Sequence, residues 1–285
     1  MNGKLYVVAT PIGNLSDISQ RALDILNEVD IIACEDTRQT IKLLNHYDIK
    51  NKMVSYHKFN EESKSISLVD DLLNGKSIAL VSDAGTPCIS DPGYNLVSEA
   101  RKHNIEVFGV PGASATVTAL SISGLPTSSY SFLGFLSQDT SKFNEEIDLI
   151  HDSKISTFII YESPKRIVKL VEKLKEEFKN ANIFIASDLT KIHERGFFGN
   201  INEVYETIKS DPNIEKGEYV IILDKNEEEK VSSDEDISME ALLIDTMIKN
   251  NLDMKSAINY LNQNNKNIKK NDIYKASLNL KELFK

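Results

Sequence analysis

Between residues 4 and 112 the chain repeats one pattern, a short apolar run, a turn, and then a stretch with apolar residues at helical spacing. Leu5–Val8, Asp30–Cys34, Met53–Tyr56, Ser77–Val81 and Ile105–Val110 read as strands. Helical patterns over Ser19–Val29, Arg38–Tyr47 and Glu62–Leu73 separate them, and another begins after Pro92 and runs through Leu96–Arg101. Short connections between such alternating elements predict a mainly parallel sheet with helices on both faces.

One connection is unlike the others. Ala79–Gly93 leaves a buried strand and then carries Asp83, Gly85, Pro87, Asp91, Pro92 and Gly93, residues that resist helix and strand alike. In open parallel sheets the carboxyl ends of the strands are where ligands sit. Three more loops marked by Gly, Pro or Asp follow strands on the same side: Thr10–Asn14, Glu35–Arg38 and Pro111–Ser114. Each alone is an ordinary turn. Together they describe a cleft walled by backbone amides and small side chains, suited to a nucleotide-like ligand.

Ala113–Ile122 reads as a helix of small residues ended by Gly124–Thr127, after which a second α/β unit begins. Its predicted strands are Ser131–Phe135, Thr157–Tyr161, Asn182–Ser187, Glu194–Gly199 and Tyr219–Leu223, with helices over Phe143–Ile150, Pro164–Phe178 and Asn202–Ser210. Neighbouring strands here need not run parallel, so a mixed sheet is expected. The expected organisation is an α/β domain over 1–115, a second over 116–225, an acidic linker over 226–238 and a helical appendage over 239–285. That appendage reads as three amphipathic helices.

The formal charge of −10 argues against a nucleic-acid binder that works by bulk electrostatics. A local basic face stays compatible with it, because residues 239–285 hold eight Lys against five Asp and Glu. No stretch approaches the roughly 20 apolar residues of a membrane span, and the first residues lead straight into a strand, so a cytoplasmic protein without membrane contact is expected. Cys34 and Cys88 are too far apart for a metal-ligand pattern, and the five histidines share no ligand spacing, so no metal is expected.

G-x-x-x-x-G-K-[ST], G-x-G-x-x-G and G-x-S-x-G are all absent, which removes the main support for nucleoside triphosphates, NAD and a serine hydrolase. Adenosine-type ligands without a phosphate cradle remain open. S-adenosylmethionine fits, being a sulfonium with polar ends that backbone loops can hold.

Several segments carry a wider likeness: Leu5–Leu15, Glu35–Arg38, Ser55–His57, Ala79–Gly93, Ala119–Thr127, Tyr161–Pro164 and Leu189–Lys191. In order and spacing they resemble the tetrapyrrole-methylase superfamily and, within it, the ribosomal RNA small-subunit methyltransferase I family, along nearly the whole chain. The resemblance implies two α/β domains and S-adenosylmethionine as cofactor. It also implies methylation of a cytidine 2′-hydroxyl in the decoding region of 16S rRNA, free or in the small subunit, by a homodimer. A methylase of a small tetrapyrrole and a non-catalytic RNA-binding assembly protein are the rival readings. The chain departs from the family pattern at Ala113, Lys165 and Ser187-Asp188.

On that resemblance the cofactor is expected at Pro11, Ile12, Asp83, Ala84, Gly85, Thr86, Gly112, Ala113, Ser114 and Ala115, with Tyr161 and Leu189 closing over it. Arg38, His57, Lys165 and Arg166 are the candidate RNA contacts, joined by Lys269 and Lys270 in the helical tail. Glu162 and Lys191 are the candidates for catalytic acid–base work, Lys191 only if burial lowers its pKa substantially.

Overall fold

The structure, a computed structural model, describes residues 2–225, 238–264 and 270–283. Residues 1–226 group as one compact unit and 227–285 as another.

Five parallel strands form the first sheet: β1 (Lys4–Val8), β2 (Ile31–Cys34), β3 (Met53–Ser55), β4 (Ile78–Val81) and β5 (Glu106–Val110), in the order β3-β2-β4-β1-β5. Strands buried on both faces need apolar residues at every position, and β2 and β4 read Ile-Ile-Ala-Cys and Ile-Ala-Leu-Val. The twofold alternation sorts them. Ile78 and Leu80 face a core shared with α3 (Glu61–Leu73) and α4 (Tyr94–Lys102), through Leu68, Leu72, Leu96 and Ala100. Ala79 and Val81 face the opposite core, built on α1 (Gln20–Glu28) and α2 (Thr37–His46) through Ala22, Leu26 and Leu44. Side-chain caps start both of the latter helices: Ser19 accepts from the Ala22 amide and Asp36 from the Arg38 amide.

Strand order decides where the loops meet. β1 lies between β4 and β5, so the loops leaving these three strands emerge side by side at one edge.

The second sheet has the order β6-β7-β10-β8-β9, from β6 (Tyr130–Phe135), β7 (Thr157–Glu162), β8 (Asn182–Ser187), β9 (Arg195–Asn200) and β10 (Tyr219–Asp224). Only β6 and β7 pair in parallel; the other three pairings are antiparallel, giving the expected mixed sheet. One face packs on α6 (Thr140–Asp152), α7 (Ile167–Glu177) and α8 (Ile201–Ser210). The other packs on α5 (Ala115–Ile122), whose Ala119 and Leu120 share a core with Ile159, Val220 and Ile222. The pairing of β6 with β7 slips between Phe132 and Gly134, and Gly134 takes φ +67° there. This bulge re-aims Phe135.

Residues 238–283 contain α9 (Met239–Asn250), α10 (Met254–Asn264) and α11 (Lys270–Leu283), three helices as their periodicity predicts. Leu243, Ala257, Leu261, Ile273 and Leu280 form their core. Ser238 caps α9, and Asn251, at φ +50°, ends it in the left-handed conformation.

Candidate functional site

The three adjacent loops are tied together through their backbones. Thr10 and Gly85 exchange both main-chain hydrogen bonds, at 2.8 and 3.0 Å, and the Thr10 hydroxyl donates to the Ser82 carbonyl. The Thr86 hydroxyl donates to the Ala113 carbonyl at 3.2 Å. Gly112 approaches the first strand's end so closely that a Cβ there would sit 3.0 Å from that of Ala9. The long loop after β4 places Gly85, Cys88, Ser90 and Gly93 at positive φ, which a mere reversal of chain direction does not require.

A further approach joins this edge to the second sheet. A Cβ on Gly13 would fall 2.6 Å from the Lys191 side chain and 2.8 Å from the Leu189 carbonyl. Leu189 itself is buried in a cluster against which Ile12, Ala115 and Tyr161 pack.

Between these walls lies a cavity of about 380 Å³, within the ~300–1,000 Å³ range usual for small-molecule sites. Ile12, Ala84, Gly85, Thr86, Ser114 and Ala115 line it from the first sheet's loops. Phe135, Tyr161, Glu162 and Val220 line it from the second sheet. Tyr161 is fixed by edge contacts with Phe132 and Phe135, at ring-centroid distances of 5.0 and 5.7 Å, and burial pushes its phenol pKa up.

The other expected cofactor residues stand just outside. Pro11 and Leu189 are buried behind the wall, and Gly112 and Ala113 carry the backbone that shapes it. Asp83 is exposed and accepts a hydrogen bond from the Asp36 amide at 3.1 Å, which ties the β4 loop to the β2 loop.

Three carboxylates line the cavity: Asp91, Glu162 and Glu218. Glu162 is buried and held by Arg166 at 2.5 Å and by the Ser163 amide at 2.6 Å. Glu218 pairs with Lys191 at 3.0 Å. Asp91 forms no ion pair among the described residues. Burial first, and then the neighbouring charges of Glu35 and Asp83, raise its pKa to about 6, with the Ser82 hydroxyl acting in the opposite sense. Asp91, which the sequence marks only as a loop residue, and Phe135 and Glu218 are cavity residues beyond those expected from the sequence. For Asp91 the signal was present in Ser90–Gly93, a run that also serves as a plain turn.

The candidate catalytic lysine does not meet its condition. Burial pulls the Lys191 pKa down, but Asp188 at 2.9 Å and Glu218 at 3.0 Å outweigh it and the net shift is upward. Lys191 is therefore an ammonium that ties the β8 end to the β10 start, beside a hollow lined by Gly13, Asn14 and Thr190.

Of the candidate RNA contacts, Arg38 is exposed, and its guanidinium grips Asp36 through bonds of 2.6 and 3.0 Å. The pair holds the Asp36 carboxyl down to about 2. His57 stands near Glu35, and its ring Nδ1 is buried without a hydrogen-bond partner among the described residues. Lys165 is exposed at the turn before α7. Arg166 lines a second hollow of about 290 Å³ with Lys169 and Lys173, and this hollow shares Glu162 with the cavity. Lys269 lies outside the described residues, and of Lys270 only the backbone, at the start of α11, is described.

No helix among the described residues is long and apolar enough to cross a membrane.

The family described as tetrapyrrole (corrin/porphyrin) methylases matches residues 4–205. Ribosomal RNA small subunit methyltransferase I of Halalkalibacterium halodurans is 47% identical over 233 residues, covering 82% of this chain and 79% of the relative. The protein of that name from Vibrio cholerae is 43% identical over 276 residues, covering 96% and 94%. Among solved structures, diphthine synthase matches with a TM-score of 0.58 at 15% identity, covering 78% of this chain and 89% of that one. Uroporphyrin-III C-methyltransferase from Thermus thermophilus, complexed with S-adenyl homocysteine, matches with a TM-score of 0.53 at 17% identity, covering 78% and 97%.

Proposed function

The chain belongs to the tetrapyrrole methylase family and, within it, to the ribosomal RNA small subunit methyltransferase I group, and from that premise we propose that it methylates 16S rRNA with S-adenosylmethionine. The methyl acceptor in this reading is the 2′-hydroxyl of a cytidine ribose in the decoding region. The observation that carries it is the 380 Å³ cavity walled by the loops after β1, β4 and β5 on one side and by Tyr161 and Val220 on the other.

The residues present suit the cofactor. Ile12, Ala84, Ala115 and Val220 offer apolar surface for an adenosyl group, and Gly85 and Gly112 let backbone approach closely. Asp91 and Glu218 add carboxylates to the wall. When bound, the sulfonium supplies an electrophilic methyl on a good leaving group. What the protein then has to supply is chiefly alignment of the acceptor oxygen with that methyl, and alignment can lower a barrier by up to ~7–11 kcal/mol. The backbone bonds joining Thr10, Gly85, Thr86 and Ala113 give the donor side of that alignment a fixed frame.

For the acceptor side, Arg38, Lys165 and Arg166 are read as phosphate contacts, with Lys169 and Lys173 continuing the basic line along α7. Guanidinium forks suit phosphate oxygens. The charged tail over 239–285 is read as a second RNA contact, a cytoplasmic setting follows from the ribosomal substrate, and a homodimer is the expected assembly. The deciding experiment maps ribose 2′-O-methylation on small-subunit rRNA with and without this protein, using naked RNA and assembled subunits. Unmodified cytidines in both would overturn the reading.

A further inference from the structure

We propose that Asp91 is the charge-selecting residue of the cavity, the carboxylate that favours a cationic sulfonium donor over the neutral thioether left after methyl transfer. The inference rests on reading the cavity as the S-adenosylmethionine site and adds a residue and a discrimination that the reading does not contain.

Charge bookkeeping around the cavity leads to it. Of the three lining carboxylates, Glu162 is paired with Arg166, and Glu218, its side chain 74% exposed to water, shares Lys191 with Asp188. Asp91 has no such cation among the described residues. The groups that face it make matters worse: Glu35 and Asp83 are carboxylates, and Tyr161 and Cys88 are neutral groups whose own pKa values Asp91 helps to raise. Beyond these, His57 faces Glu35, Arg38 faces Asp83 and Glu61 faces Cys88. The geometry fixes this position. Ser90, next in the chain, sits at φ +66°, and Gly134 of the β6 bulge closes to within a Cβ contact of 3.4 Å of its hydroxyl. The loop is thus pinned from both sheets with Asp91 at the wall.

A half-buried carboxylate without a counter-ion is costly in the empty site, and a ligand bearing positive charge relieves the cost. S-adenosylmethionine and S-adenosylhomocysteine share adenosine, carboxylate and ammonium groups and differ by the methyl and one positive charge at sulfur. A fixed negative potential therefore favours donor over product. A single charge at contact range in a protein-like medium is enough for a preference of about tenfold.

The test is calorimetric titration of the full-length protein with each ligand separately, for wild type and Asp91→Asn, between pH 5 and 7. At pH 7 the wild type is expected to bind the donor about tenfold more tightly than the product, and Asp91→Asn to bring the ratio close to one while still binding the product. The product affinity serves as the folding control within the same preparation. In the wild type the preference should also fade as pH drops below about 6, where Asp91 takes up a proton, and it should be independent of pH in the variant. Donor and product affinities lowered by the same factor, or a ratio unchanged by the substitution, would overturn the role of Asp91 and leave the cofactor reading standing. Absence of binding of either ligand to the wild type would overturn the cofactor reading itself, and this inference with it.

Discussion

The Glu162 carboxylate meets the Arg166 guanidinium at 2.5 Å, one turn along the chain, with the Glu162 side chain 4% exposed and that of Arg166 27% exposed. Ser163 closes the arrangement, its hydroxyl donating to Glu162 at 3.2 Å and accepting from Arg166 at 3.1 Å. The same carboxylate walls both the cavity and the basic hollow on α7.

Removing the cation from this pair strands a buried charge. Arg166→Ala is expected to lower stability by about 3–5 kcal/mol, read by urea unfolding at pH 7. A loss below about 1 kcal/mol, the size of an exposed pair, would show that Glu162 finds water or another donor.

Gly13 tests how tightly the two sheets meet beside the cavity. Gly13→Ala places a methyl 2.6 Å from Lys191 Cγ and 2.8 Å from the Leu189 carbonyl, so backbone has to move. Overpacking of this kind costs about 1–3 kcal/mol, and cofactor affinity should fall along with the melting temperature. Unchanged values for both would mean that the two loops separate without effect.

Lys191 stays charged, so it has no lone pair to act as a base. Lys191→Arg should keep methyl transfer within a few-fold of wild type, with the same pH profile of kcat. A loss beyond a hundredfold with cofactor affinity retained would restore Lys191 as a proton acceptor.

Asp91 makes stability depend on pH with a definite sign. Its folded pKa, about 6, lies above the ordinary carboxylate value, so the folded state binds more protons than the unfolded state between roughly pH 4 and 6. Its unfavourable contribution is absent below that window, grows through it and is complete above it. Asp91→Asn should therefore be more stable than wild type at pH 7 and gain little at pH 4, measured by chemical unfolding across the range. A gain that does not depend on pH would contradict this assignment.

Arg38 pairs with Asp36 in the open, with 87% of its side chain exposed. Such exposed, solvent-screened pairs add little to stability. Arg38→Ala should leave the melting temperature and S-adenosylmethionine affinity unchanged while raising KM for the RNA substrate. Equal loss of cofactor affinity by calorimetry would remove its role in RNA contact.

The strands and helices of residues 4–224 were legible because each carries its own signal: continuous apolar runs in β2 and β4, helical spacing in α1 and α3. Pro164 suggested an early start for α7. The helix begins at Ile167 instead, because Ser163–Arg166 form a turn in which the Arg166 amide bonds to the Ser163 carbonyl at 3.0 Å. Loop residues such as Gly85 and Ser114 could be placed at the site from glycine and proline punctuation after strands. Phe135 and Glu218 could not. Phe135 reaches the cavity through a bulge, and Glu218 because β10 runs antiparallel between β7 and β8, pairings that leave no local trace in either segment.

The reciprocal bonds between Thr10 and Gly85 also bear on how a ligand would be received. A wall already fastened to itself loses little conformational entropy when it is occupied, since that ordering was completed as the chain folded. Recognition at such a wall resembles a key entering a cut lock more than a hand closing, and association should be limited by encounter rather than by rearrangement. Weakening the fastening would then show first as slower, entropically more costly capture, before any contact with the ligand itself had been altered.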